Sequence, residues 1–337
     1  LTTNTMASLI GMDAVGDESA HKAFAEACYG NDYTNMFAAT DKSSYPEVLM
    51  WKAYSLALGV TNAAFRRIEE SAYVNYTRSG VDCYLMKNGL PIYASNSGYK
   101  GDKTLSDTRY DRDGRIWLFL KEEGQLNDLD QATTGPAGEY AVLVEPKPQV
   151  FNANGNLRNP TGYSSRKGAS FNAAVKLDRG DAASIIFRAT EAYLNYIEAC
   201  YLKLGTLDGS AVSYWKSIRE RAGVNTDLDL TDQNTDIAKE SQTDWGAYTA
   251  GELLSDPCLF NIRRERRCEL MGEGFRWMDL KRWRALDQLK KKPYFMEGFN
   301  FWDSNYTLYD PSEIIADKSG SATMSPESDS KYYRFMN

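Results

Sequence analysis

Apolar side chains recur at three- and four-residue spacing over residues 184–223. Ile186, Ala189, Tyr193, Tyr196, Ile197, Cys200 and Leu204 fall on one face of a helix. Gly205 supplies a C-terminal stop, Asp208-Gly-Ser210 a cap for a second helix carrying Val212, Trp215 and Ile218, and Gly223 its end. The spacing predicts a helical hairpin in which the small residues Ala192 and Ala199 permit close approach. A second block opens at Ser255-Asp256-Pro257, an N-cap residue followed by proline at the first helical position, and runs through Phe260, Ile262, Glu265, Glu269, Leu270 and Met271. Gly272 and Gly274 interrupt it. Helical spacing resumes at Phe275, Met278, Leu280, Trp283, Leu286 and Leu289 until Lys290-Lys-Lys292 and Pro293 end the segment, with positive charge at the end the helix dipole favours. The same spacing predicts a helix over about residues 19–28.

Elsewhere the pattern changes. Residues 86–170 are rich in Gly, Asn, Ser, Pro and Tyr, and their short apolar runs Ile116–Leu120 and Tyr140–Val144, bounded by turn residues, read as short strands among long loops. Residues 224–256 and 294–337 are similarly polar with embedded aromatics. Loops of this length are uncommon unless they are functional or disordered. The predicted class is mainly α: one domain over 1–337, with a helical scaffold, a loop-rich insert at 86–170 and a few short strands. The hairpin resembles one tetratricopeptide unit.

Charge and composition narrow the functions this scaffold can serve. With 46 acidic against 39 basic side chains the chain carries a net charge of −7 and no basic tail, which excludes a nucleic-acid partner that draws its affinity from clustered Lys and Arg. No stretch approaches the roughly 18–20 apolar residues of a spanning helix. The start, Leu1 to Met6, has neither a charged signal-peptide onset nor a nearby Cys to accept lipid, so a cytosolic protein or a processed or partial chain is expected. The five cysteines, without Cys-x-x-Cys spacing, predict buried free thiols and no metal site. A single histidine, His21, leaves no room for histidine-based catalysis beyond itself and reads as a structural or surface residue. The 22 Tyr and 7 Trp point instead to recognition of an amphipathic ligand.

Arg263-Arg-Glu-Arg-Arg267, followed by Glu269, Glu273, Arg276 and Asp279, places carboxylates three and four residues from arginines. Ion pairing along the helices follows, and the planar guanidinium forks suit fastening long loops to the scaffold. Asp111-Arg-Asp113-Gly-Arg115 lacks the spacing of a calcium loop and reads as a further Arg–Asp lattice. An Asp/Glu pair could hydrolyse a glycosidic bond without histidine, yet among 46 acids none is singled out.

Two longer segments carry a resemblance. Ile262-Arg-Arg-Glu-Arg-Arg-Cys-Glu-Leu-Met-Gly-Glu-Gly-Phe-Arg-Trp-Met-Asp-Leu-Lys-Arg-Trp283 and Phe187-Arg-Ala-Thr-Glu-Ala-Tyr-Leu-Asn-Tyr-Ile-Glu-Ala199 are similar to motifs of the SusD/RagB family. Weaker echoes are Tyr45-Pro-Glu-Val48, Tyr84–Ile92 and Asp111–Ile116, in the family's order. The resemblance implies a tetratricopeptide-like, SusD-like fold and a surface glycan-binding lipoprotein of the outer membrane that partners a SusC-type TonB-dependent transporter. It also implies a central and C-terminal part of such a protein, lacking the usual N-terminal helices and the lipid anchor through which the membrane would be met. No catalytic residue, cofactor or metal is expected. The family motifs are structural, so candidate ligand contacts are chosen on chemistry: aromatic platforms for the C–H faces of a sugar beside polar groups for its hydroxyls. Tyr93 and Tyr99 in the Ser-Asn-Ser-Gly loop, Arg158, Tyr163 and Arg166 in the Asn-rich loop, and Trp302 meet that description. The alternatives are a helical glycoside hydrolase and a peptide-binding tetratricopeptide-like adaptor.

Overall fold

A computed structural model describes all residues except 2–4, 15, 70–73, 130–143, 153, 156, 172–179, 292–295, 317–330 and 336–337. The predicted hairpin forms from helices Ala189–Leu204 and Gly209–Ala222. Gly205 and Gly223 end them in the left-handed region, with φ of 72° and 71°, where a side chain would be strained. Asp208 caps the second helix by accepting the Ala211 N–H at 2.8 Å. Leu194, Ile197, Trp215 and Ile218 form the hairpin core with Ile262 and Leu270, and Tyr193 stacks on Tyr214 at 4.2 Å. The close approach falls to buried Ala211, whereas Ala199 is exposed. Ile186 is not helical: it lies in the strand Ser184–Arg188, antiparallel to Val48–Lys52. Its helical register with Ala189 is coincidental, because the Ile-Ile-Phe run is β-branched and aromatic and favours a strand.

The arginine-rich helix spans Pro257–Glu269, with Asp256 accepting the N–H groups of Cys258 and Leu259 at 3.0 and 3.2 Å. Gly272 and Gly274 separate it from the short helix Arg276–Arg282, which a 3-10 turn, Ala285–Lys290, follows. Met278 and Leu289, expected on the apolar face, are 60% and 57% exposed. Breaking the segment into two short helical pieces destroys the single register that their spacing assumed. The predicted stop at Lys292 and Pro293 lies outside the described residues, as do residues 140–143 of the predicted Tyr140–Val144 strand; Val144 forms an isolated bridge with Leu126.

The larger core gathers Phe24, Ala25 and Cys28 from helix Glu18–Tyr29, Tyr33 and Met36, Phe299 from the strand Met296–Asn300, which pairs with Tyr332–Phe335, and Phe301 just beyond that strand. Ile116–Leu120, read as a strand, contributes most of a fully buried helix, Gly114–Phe119, with Leu120 just beyond its end. A continuous apolar run has no period to distinguish helix from strand, and the cap decides: Asp113 accepts the Arg115 N–H at 2.9 Å. Gly114 sits where any Cβ would stand 2.6 Å from the Ala222 carbonyl oxygen, so the helix start can approach the hairpin only as glycine. His21 is buried, 3.8 Å from Asp13. All five cysteines are free, and only Cys258 is appreciably exposed. Among the described residues no helix is long and apolar enough to cross a membrane.

Buried charge ties these parts together. Glu269 accepts Arg115 at 2.9 Å, Arg188 at 2.8 Å and Arg221 at 2.5 Å. Glu47, from the Tyr-Pro-Glu-Val echo, takes the same Arg188 and Arg221 at 2.7 and 2.6 Å. Glu265 takes Arg115 at 2.7 Å, Arg219 at 3.2 Å and the Trp215 indole N–H at 3.0 Å. Asp113 closes on Arg115 at 2.6 Å, as the Arg–Asp lattice predicts. Most partners of the arginine-rich helix therefore lie on other elements, not three or four residues along its own axis. Arg263 donates to the carbonyls of Gly246 and Tyr248, each at 3.0 Å, and Arg267 pairs with Asp244 at 2.7 Å, so the helix does fasten the 244–249 loop.

Candidate functional site

Helix Arg78–Asp82 starts where Thr77 accepts the Gly80 N–H at 3.2 Å, and Ser79 ties it to the Thr243 carbonyl at 2.5 Å. Opposite it the 86–97 loop is folded on itself: Met86 N–H donates to Leu90 at 2.9 Å, Asn88 to the Ser97 carbonyl at 3.1 Å and Ser97 to the Ile92 carbonyl at 2.9 Å. Between them and helix Ile237–Glu240 opens a cleft of about 310 Å³, walled by Arg78, Asp82, Tyr93, Lys239, Glu240 and Arg264.

Tyr93 is fixed by its hydroxyl, which donates to Glu240 Oε1 at 2.9 Å and accepts the Asp236 N–H at 2.8 Å. Burial, then the Glu240 carboxylate, pushes this phenol well above its ordinary range. Arg264 also pairs with Glu240. The Arg264 side chain is only 3% exposed, yet its Nε and Nη1 have no hydrogen-bond partner among the described residues. Buried donors of this kind are costly when left unpaired. Asp82, 20% exposed, lies 3.5 Å from Arg78. Burial raises its carboxyl to about 6, against the lowering influence of Arg78 and Arg112 and with Asp102 and Glu240 adding to the rise. An aromatic ring, a buried guanidinium and a carboxyl raised toward neutrality thus line one small space.

The six residues chosen from sequence do not form one constellation. Tyr93 lines the cleft. Tyr99, half-buried further along the same loop, has the Arg112 guanidinium 5.3 Å from its ring centre. Arg158 donates to the Val150 carbonyl at 3.0 Å, and Trp302 packs edge-on to Phe301 at 5.0 Å. Tyr163 and Arg166 are each 1% exposed, which corrects their reading as displayed contacts: Tyr163 packs edge-on to Phe299 in the core and Arg166 donates to Gln125 at 3.0 Å. The loop that carries them is drawn inward because its backbone joins the interior, with Tyr76 N–H donating to the Tyr163 carbonyl at 2.9 Å and Arg166 N–H to that of Phe119 at 2.7 Å. Sequence reasoning missed Asp82, Glu240 and Arg264. Arg264 stands within the Arg263–Arg267 run, which was its one visible signal; Asp82 and Glu240 had none.

Three other hollows among the described residues are larger, the smallest of them, about 350 Å³, lying at the Gly272–Gly274 turn beside Arg266, Arg267 and Arg276. One of about 410 Å³ beside strand Ser184–Arg188 holds Lys167, Arg188 and Glu273, already paired with one another at 2.6 and 2.8 Å. Another, of about 660 Å³ at the hairpin turn, is lined largely by acidic and small polar residues of 205–232.

The SusD family sequence model matches residues 61–333. The chain belongs to the SusD family. Among solved structures it is similar to a SusD-like carbohydrate binding protein from Bacteroides fragilis NCTC 9343, at 16% identity and a TM-score of 0.54, over 98% of this chain and 56% of that one. A second SusD-like protein from the same strain aligns at 17% identity and a TM-score of 0.50, over 85% of this chain and 54% of that one. The SusD-family chain described here thus spans little more than half the length of these two relatives, and at such identity the likeness is one of fold. No curated protein matches it significantly in sequence.

Proposed function

We propose that this chain is the glycan-capturing part of a surface lipoprotein of the outer membrane, which binds an oligosaccharide without cleaving it and passes it to a SusC-type TonB-dependent transporter. Family membership supports the class of activity. The observation that carries the choice of site is the Tyr93 ring standing beside the Asp82 and Glu240 carboxyls in one cleft. A sugar offers an apolar C–H face to the ring and hydroxyl acceptors to Arg78, while Asp82 and Glu240 accept from its hydroxyls. At about 310 Å³ the cleft is at the small end of ligand sites, so it suits one end of a glycan. Tyr99, Arg158 and Trp302 are proposed as outlying contacts for a longer ligand.

The test is calorimetric titration of a panel of oligosaccharides into the purified chain and its Tyr93→Ala and Trp302→Ala variants, with chromatography of the glycan after prolonged incubation. Expected is binding that Tyr93→Ala weakens and an unchanged glycan. Release of shorter sugars would move the function to hydrolysis, and undiminished binding by Tyr93→Ala would remove the cleft. Co-purification with a SusC-type transporter tests the partner.

A further inference from the structure

Cys83 closes the helix Arg78–Asp82, and Cys268 stands in the last turn of the arginine-rich helix, 185 residues further along the chain. Their Sγ atoms are 3.6 Å apart, and each residue is 4% exposed. A disulfide bond is about 2.05 Å long, so a closing movement of roughly 1.5 Å separates contact from covalent linkage. Cys83 also lines the Tyr93 cleft, so the residue stands at the side of the site that solvent enters. The surroundings make the two thiols unequal. Burial opposes ionisation of Cys83, but the hydrogen bond with Cys268 and the nearby Arg267 guanidinium outweigh it and hold this thiol below its ordinary value. Burial, then Cys83 itself, pushes Cys268 well above its own. Cys83, facing the cleft, is thus the sulfur that an oxidant meets first, and Cys268, in contact with it, the one available to resolve. None of the remaining cysteines, Cys28, Cys200 and Cys258, has a second sulfur in contact among the described residues.

We propose that Cys83 and Cys268 form a dithiol that a hydroperoxide closes to a disulfide, fastening the Asp82 wall of the cleft to the arginine-rich helix. The Cys83 thiolate attacks a peroxide oxygen, the O–O bond breaks, and with hydrogen peroxide one water leaves, carrying the thiol proton. Cys83 is then a sulfenic acid. The Cys268 sulfur attacks it, the S–O bond breaks and a second water departs with the Cys268 proton. Two thiols and one peroxide give one disulfide and two waters, the sulfurs supplying the two electrons that reduce the peroxide. The inference is independent of what the cleft binds.

The experiment treats the folded chain with limiting hydrogen peroxide, counts thiols in denaturant with Ellman's reagent and maps peptides by mass spectrometry without reduction. The thiol count is expected to fall from five to three, with a linked Cys83–Cys268 peptide that dithiothreitol releases. Cys268→Ser should stop at a dimedone-reactive sulfenic acid on Cys83. A second sample, refolded from denaturant in a glutathione redox buffer, forms the same bridge without needing access to the folded interior. Thiols lost without the linked peptide, or all five surviving both treatments, would overturn the proposal.

Discussion

At Tyr93 the hydroxyl is consumed in holding the loop, by Glu240 and the Asp236 N–H, so the ring, with the Lys239 Nζ 5.2 Å from its centroid, is what remains for a ligand. Tyr93→Ala is therefore expected to raise the dissociation constant of a bound glycan by about tenfold, equivalent to about 1.4 kcal/mol. Tyr93→Phe, which keeps the ring but loses the anchor, should cost less, and titration calorimetry separates the two. Asp82 introduces a pH dependence. Its carboxyl, raised to about 6, is mostly ionised above that pH and mostly neutral below it. An ionised carboxylate is the stronger acceptor for sugar hydroxyls, so affinity should rise between about pH 5 and 7 in the wild type and stay flat in Asp82→Asn. A carbon-13 NMR titration of the Asp82 carboxyl checks the midpoint directly.

At the scale of elements the arginine-rich helix shows what the family motif is for. Glu269 is fully buried and gathers three arginines from the 114–119 helix, the 184–188 strand and the second hairpin helix. Removing one partner of a buried ionic cluster leaves the others uncompensated, so Glu269→Ala should destabilise the fold by about 3–5 kcal/mol, read as a lower urea midpoint. The pairing explains why arginine and glutamate recur there even though few of them face each other along one helix. Gly114→Ala probes the neighbouring contact. Its methyl group would press on the Ala222 carbonyl, and a loss of about 1–3 kcal/mol by the same denaturation assay is expected from overpacking.

For the whole molecule, the buried carboxylates set the response to acid. Glu269, Glu47, Glu265 and Glu273 lie below the ordinary glutamate value of 4.5, because their arginine and lysine partners outweigh burial. Their stabilisation is complete above that value and is lost as pH falls through the lower folded values. Asp82 acts in the opposite sense: its contribution is complete below 3.8 and is lost as pH rises through about 6. Thermal unfolding followed across pH should therefore show greatest stability near about pH 4.5, with a steep loss on the acid side and a shallower decline as pH rises to about 6. By itself the sequence determined the hairpin, its glycine stops, the Asp256-Pro257 helix start, the free thiols and the family motifs. Each is set by neighbours within a few residues, through caps, φ preferences and helical spacing. Only the tertiary structure decided that 114–119 is a helix, that Tyr163 and Arg166 turn inward, and that Asp82, Glu240 and Arg264 meet Tyr93. Burial and partner choice depend on segments far apart along the chain, and no local pattern of apolar and polar positions encodes which charge will find which.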